Sequence, residues 1–107
     1  MKIDVDITPE HRRIVEDILN QNLPKPCTVW AFGSRANDTA QAFSDLDLAC
    51  DAGKKLDFDT ITQLKIAFEE SRLPYPVDVV DLQRVEPYFK SIIDNQKVMF
   101  RMPIPNT

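Results

Sequence analysis

Apolar and polar positions alternate along the chain with two periods, and the switches between them outline seven segments. Ile14, Val15, Ile18 and Leu19 recur at the spacing of one helix face. Ahead of them, Thr8-Pro9-Glu10 reads as a helix start. Thr8 can cap, Pro9 fits a first turn whose N–H needs no partner, and Glu10 faces the positive end. Pro24 and Pro26 forbid continuation, so the helix ends within residues 20–26. Thr28-Val29-Trp30-Ala31-Phe32 is β-branched and aromatic, a strand with two buried faces, and Gly33 breaks it. Residues 34–42 read as a short helix or a turn. Leu46-Asp47-Leu48-Ala49-Cys50 is a second strand, followed by a polar turn at Gly53. Asp57 or Asp59 caps a second helix with the apolar set Ile61, Leu64, Ala67 and Phe68. Val77-Asp78-Val79-Val80-Asp81 is a third strand. Val85-Glu86-Pro87 opens a last helix that turns Phe89, Ile92 and Ile93 inward. Val98-Met99-Phe100 suits a short edge strand, with an extended Pro-rich tail after it. Helices alternating with a few short strands predict an α/β or α+β layer fold around a small sheet.

Composition narrows this only a little. A chain of 107 residues fits one domain spanning 1–107. The net charge of −4 argues against nucleic acid as a direct partner, because phosphate contacts favour a basic surface. It does not argue against a nucleotide, since a bound divalent ion reverses the local sign of charge. No run of eighteen apolar residues offers a membrane span, and the acids Asp4 and Asp6 stand where a secretory signal would be apolar. The expected location is therefore cytoplasmic. Cys27 and Cys50 are then expected as reduced thiols near strand ends. His11 lies on the first helix, away from every motif. Val98, Met99, Phe100 and Met102 could be a partner contact or local core.

The chemistry concentrates in Gly33-Ser34-Arg35-Ala36 and Ser44-Asp45-Leu46-Asp47-Leu48, that is, Gly-Ser, ten residues, then Asp-x-Asp. Gly33 lets a backbone approach phosphates and Ser34 adds a hydroxyl. A helix starting just after Phe32 would also aim free N–H groups at them. Gly-Ser alone is a common strand-to-helix turn. Strand alternation places Asp45 and Asp47 on one face, with Leu46 and Leu48 on the other. Two such carboxylates can be a solvated face or can share a magnesium ion. At this spacing from Gly33-Ser34 they point to nucleotidyl transfer from a metal-bound nucleoside triphosphate. That reaction is mostly positioning and electrostatics, commonly assisted by two divalent ions. Asp78 interrupts an apolar run, which is costly unless the acid is paired or binds metal, so it is the natural third ligand. Asp81 competes, but stands where the strand should end, which suits a capping or turn role. Arg35 could meet a phosphate or form a surface salt bridge. Ser44 is expected to orient the loop before Asp45.

Gly33-Ser34-x10-Asp45-x-Asp47 with Asp78 in a hydrophobic strand resembles the DNA polymerase β superfamily of nucleotidyltransferases. The short length and the run Gly33-Ser34-Arg35-Ala36…Ser44-Asp45-Leu46-Asp47-Leu48-Ala49 look most like its minimal nucleotidyltransferases, the MNT family. The resemblance implies the nucleotidyltransferase fold: a small mixed β-sheet with helices packed on one face and an ATP–Mg²⁺ site on the other. It implies triphosphate binding by Gly33 and Ser34; Arg35 and Ser44 stand beside them as second-rank candidates for the nucleotide site on their own residue chemistry. Asp45, Asp47 and Asp78 become the catalytic metal ligands, with Mg²⁺ as cofactor and ATP as substrate. Family members often pair with a small all-helical HEPN toxin. The MNT member is then the antitoxin, an enzyme that transfers AMP from ATP to the toxin, typically to a tyrosine. A non-enzymatic antitoxin that binds and occludes, or a transferase acting on a small molecule, are the alternatives. Many relatives have Arg-Gly where Asn37-Asp38 stands, and Asn and Asp tolerate the left-handed conformation that glycine supplies. Larger relatives carry an acceptor-binding domain, for which 107 residues leave no room.

Overall fold

The structure is a computed structural model that describes residues 5–37 and 39–101. The order is helix α1 (Pro9–Asn22), strands β1 (Thr28–Phe32) and β2 (Leu46–Asp51), helix α2 (Phe58–Glu69), strand β3 (Val77–Asp81), helix α3 (Pro87–Gln96) and strand β4 (Val98–Arg101). Asp38, Met102 and the Pro-rich tail lie outside the described residues. The caps follow the local chemistry. Thr8 Oγ1 accepts the N–H of His11 at 3.1 Å, with Pro9 beginning the helix. Asp57 takes the cap position of α2 and Glu86 that of α3, neither through a side-chain bond.

The four strands form one sheet in the order β3-β2-β1-β4. β1 runs antiparallel to both β2 and β4, and β2 runs parallel to β3. The sheet is therefore mixed, with β3 and β4 at its edges. Its register pairs Phe32 with Asp47 and Asp47 with Asp78.

Alternation then sorts the side chains. Val29, Ala31, Leu46, Leu48, Cys50 and Phe100 join Val15 and Leu19 of α1 and Leu64 and Phe68 of α2 in the main core. Burial of each such large aliphatic or aromatic side chain stabilises the fold by about 1.5–3 kcal/mol. Cys27 and Cys50 are buried thiols. The opposite face carries a smaller cluster of Phe32, Ala49, Leu82 and Ile93, flanked by Trp30, Val80 and Val85. α1 and α2 thus cover one face, while α3 places Ile93 against part of the other. Phe89 was expected inward with Ile93. It is instead 39% exposed and meets Phe32 edge-on, with ring centroids 6.1 Å apart. The rest of this second face, at the end where β2 begins, is left to acids. Among the described residues no helix is long and apolar enough to cross a membrane.

Candidate active site

The site grows from the end of β1. Gly33 has φ +77°, a conformation that L side chains rarely adopt. A second constraint is spatial: a Cβ added there would stand 2.4 Å from Oδ2 of Asp47. The glycine is therefore required both by its backbone and by the carboxylate against it. The N–H of Ala36 bonds back to the Gly33 carbonyl at 3.0 Å, and that of Thr39 to the Ser34 carbonyl at 3.1 Å. Residues 34–37 form turns, so the helix N-terminus considered as a phosphate cradle is not present there. The chain folds back after Ala36 because Asn37 Oδ1 takes the Thr39 N–H at 3.2 Å and its hydroxyl at 2.5 Å. An Asn side chain thus shapes the turn through its own hydrogen bonds.

Arg35 is buried, and among the described residues it forms no salt bridge. It is 6% exposed, and its guanidinium donates to the carbonyls of Ser44 (2.8 Å), Asp6 (2.9 Å), Ala42 (3.1 Å) and Gln41 (3.2 Å). It also stacks 3.9 Å from the centroid of the Tyr75 ring. These bonds tie the turn after Gly33 to the segment that leads into Asp45. Ser44 completes the tie, its Oγ accepting the Gln41 N–H at 2.9 Å. His11 meets the Tyr75 hydroxyl at 3.1 Å.

Asp45, Asp47 and Asp78 come together as the sequence pattern suggested. Each offers a carboxylate oxygen, and the three atoms lie within 4.8 Å of one another. Asp45 and Asp78 are exposed and Asp47 is half-buried. Burial, then the charges of Asp78 and Asp45, push the Asp47 pKa up to about 6. Among the described residues no lysine or arginine is ion-paired with any of the three. Three carboxylates converging without a cation form a hard-oxygen donor set of the kind that suits Mg²⁺. The residues therefore fit the ion that nucleotidyl transfer needs.

The choice of Asp78 over Asp81 rested on burial, and the burial runs the other way. Asp78 is exposed on the edge strand, whereas Asp81 is 5% exposed. Asp81 is satisfied by the N–H groups of Leu56 (2.7 Å) and Gln83 (2.9 Å), with Arg84 at 3.6 Å. It caps the turn after β3, as its place at the strand end suggested. Asp78 joins the cluster because β3 is in parallel register with β2.

One neighbour of the site was not visible in the sequence. Gln96, the last residue of α3, accepts the Gly33 N–H through Oε1 at 3.3 Å. The two residues are 63 positions apart, so no local pattern joins them. Lys97 follows, with Nζ 4.4 Å from the centroid of the Trp30 ring on the same face. An open hollow of about 500 Å³ at the β3 edge is lined by Lys65, Phe68 and Glu69 of α2 together with Tyr75, Val77 and Asp78. Another hollow, of about 420 Å³, lies beyond the far end of β2 around Asn22, Lys55 and Thr60, away from the carboxylate cluster.

This fold and this acid constellation define a nucleotidyltransferase, and the chain belongs to the polymerase β nucleotidyltransferase family, whose model matches residues 14–102. It is 46% identical over 89 residues to a Haemophilus influenzae protein named as a probable protein adenylyltransferase, MntA, covering 83% of this chain and 77% of that one. Among solved structures, a toxin–antitoxin complex with AMP-PNP aligns with TM-score 0.73 at 26% identity, over 85% of this chain and 73% of that one. An MNT antitoxin in complex with a tri-AMPylated HEPN toxin from Shewanella oneidensis aligns with TM-score 0.67 over 87% of this chain and 71% of that one; at 22% identity, this is a likeness of fold.

Proposed function

We propose that the protein transfers AMP from ATP to a partner protein and that this partner is a HEPN toxin, which the modification silences in the cytoplasm. The observation that carries the reading is the convergence of Asp45, Asp47 and Asp78 within 4.8 Å, against the glycine turn at Gly33. The similarity to a probable protein adenylyltransferase supports AMP as the group moved and protein as its acceptor. The solved toxin–antitoxin complexes support the kind of partner.

In the reaction an acceptor hydroxyl oxygen bonds to the α-phosphorus of ATP. The bond from that phosphorus to the bridging oxygen breaks, pyrophosphate leaves, and the hydroxyl proton passes to the carboxylate cluster. Asp45 and Asp47 would hold Mg²⁺ at the triphosphate, and Asp78 with Asp47 a second ion on the acceptor side. When bound, the ions neutralise the phosphate oxygens and the charge that develops on the attacking and leaving oxygens. Gly33 and Ser34 receive the triphosphate at the β1 side of the sheet. Attack and departure are roughly in line, so the acceptor enters from the other side, where β3 forms an open edge. Arg35 and Ser44 act by positioning, since their polar groups hold the loop on either side of the turn.

Co-expression with the neighbouring open reading frame, followed by intact-mass analysis of that partner after incubation with ATP and Mg²⁺, tests the reading. A gain of one or more AMP units, lost with Asp45→Asn, is expected. A tight complex without any mass change would instead mark an antitoxin that acts by occlusion.

A further inference from the structure

We propose that Gln96 holds the place of a phosphate oxygen at the Gly33 N–H and thereby sets the affinity of the site for nucleotide. The inference rests on the triphosphate-binding role just assigned to Gly33. It starts from one contact: the amide oxygen of Gln96 accepts the Gly33 N–H at 3.3 Å.

A backbone amide carries a single hydrogen, so two acceptors cannot both use it in good geometry. Gln96 and a phosphate oxygen therefore compete for the same donor. The outcome is set by charge. A hydrogen bond to an anion is roughly twice as strong as one to a neutral amide, so an arriving phosphate displaces the side chain. Gln96 is exposed, so its release breaks no core packing. Its bond satisfies the Gly33 amide at the residue where the chain takes φ +77°. A neutral acceptor suits that role. A carboxylate at the same position would repel the triphosphate and add charge next to Asp47. An alanine would leave the amide to water, which is easily displaced.

The two substitutions are therefore expected to act in opposite directions. Calorimetric titration with AMP-PNP and Mg²⁺ should show Gln96→Ala binding about threefold tighter than the natural protein, in line with the loss of one exposed competing hydrogen bond. Gln96→Glu should bind at least fivefold weaker, and the deficit should shrink at high salt. In ¹⁵N spectra the Gly33 amide resonance should move on titration in all three proteins. Before nucleotide is added, it should differ between the natural protein and Gln96→Ala. A merely structural role for Gln96 would weaken binding in both variants. Equal affinities in the three proteins, or weaker binding by Gln96→Ala, would overturn the inference while leaving the transferase reading intact. Failure of the natural protein to bind AMP-PNP with Mg²⁺ would overturn both.

Discussion

Asp47 and Asp81 are both strand acids, yet the protein treats them in opposite ways. Asp81 is buried and fully answered: two backbone N–H groups and Arg84 neutralise it where β3 ends. Asp47 is half-buried and left with two other acids for company. The first pattern is how a fold accommodates a charge it uses for structure. The second raises the free energy of the folded chain, the kind of perturbed cluster that functional sites gather. Burial with partners therefore marks scaffold at Asp81, and unanswered convergence is what carries the proposal at Asp47.

Breaking the unanswered side should have the largest effect. Asp47→Asn should lower AMP transfer by about a thousandfold or more, the scale seen when a preorganised charged contact is removed from a transition state. Its circular dichroism spectrum should remain native. Retained transfer would remove Asp47 from the mechanism.

The two glycines sharpen the same contrast. Gly33 and Gly53 have nearly equal φ, +77° and +78°, so alanine at either should cost about 1–2 kcal/mol of stability. Only at Gly33 does the new Cβ meet the Asp47 carboxylate; at Gly53 there is nothing within 4 Å. Gly33→Ala should therefore also lower kcat/KM by about a hundredfold, through a displacement on the order of 1 Å of a carboxylate that the proposed mechanism uses. Gly53→Ala should leave kcat/KM unchanged. Thermal melts and transfer assays on both variants separate the two costs.

On the answered side, Asp81→Ala strands two N–H groups and should destabilise the fold by about 3 kcal/mol in denaturant titration. Transfer per folded molecule should survive.

The smallest effect concerns pH. The folded-state pKa of Asp47 is raised to about 6 from 3.8, so the folded protein holds the proton more tightly than the unfolded chain. Stability attributable to Asp47 is then present at low pH and lost as pH rises from about 4 to above 6. Without Mg²⁺, Asp47→Asn should therefore be more stable than the natural protein at pH 7.5. The gain should be about 1 kcal/mol once solvent screening of a half-buried group is counted, and should vanish near pH 4. Urea midpoints at the two pH values measure it. Added Mg²⁺ should reverse the sign at pH 7.5, because the ion binds only the deprotonated site.

Much of this was legible in the sequence, for an identifiable reason. Helix starts are written locally, as at Thr8-Pro9 and Glu86-Pro87, and strand alternation reports which residues are buried. The Gly-Ser and Asp-x-Asp pieces sit at ends of two elements adjacent in the chain, so their meeting could be anticipated. What escaped depends on partners far along the chain. Strand order was beyond reach, and with it the reason Asp78 reaches Asp47. Arg35 read as a surface or phosphate-binding cation because nothing local reveals the carbonyls of Asp6, Gln41, Ala42 and Ser44 around it. Gly33 was understood for its backbone, while its closeness to Asp47 appears only once β1 and β2 are side by side. Gln96 gave no signal, since an exposed glutamine at a helix end is ordinary.

The pairing of Phe32 with Asp47 and Asp47 with Asp78 has one more consequence. Side chains along a strand alternate, so slipping β2 by one residue would send Asp47 into the apolar layer and lift Leu46 and Leu48 into water. A misthreaded sheet could not survive with a partly working site, because the error that scrambles the acids also destroys the core. Inspection for correct assembly is thus built into the strand that carries Asp47, since the register that fills the core is the one that turns this carboxylate away from it.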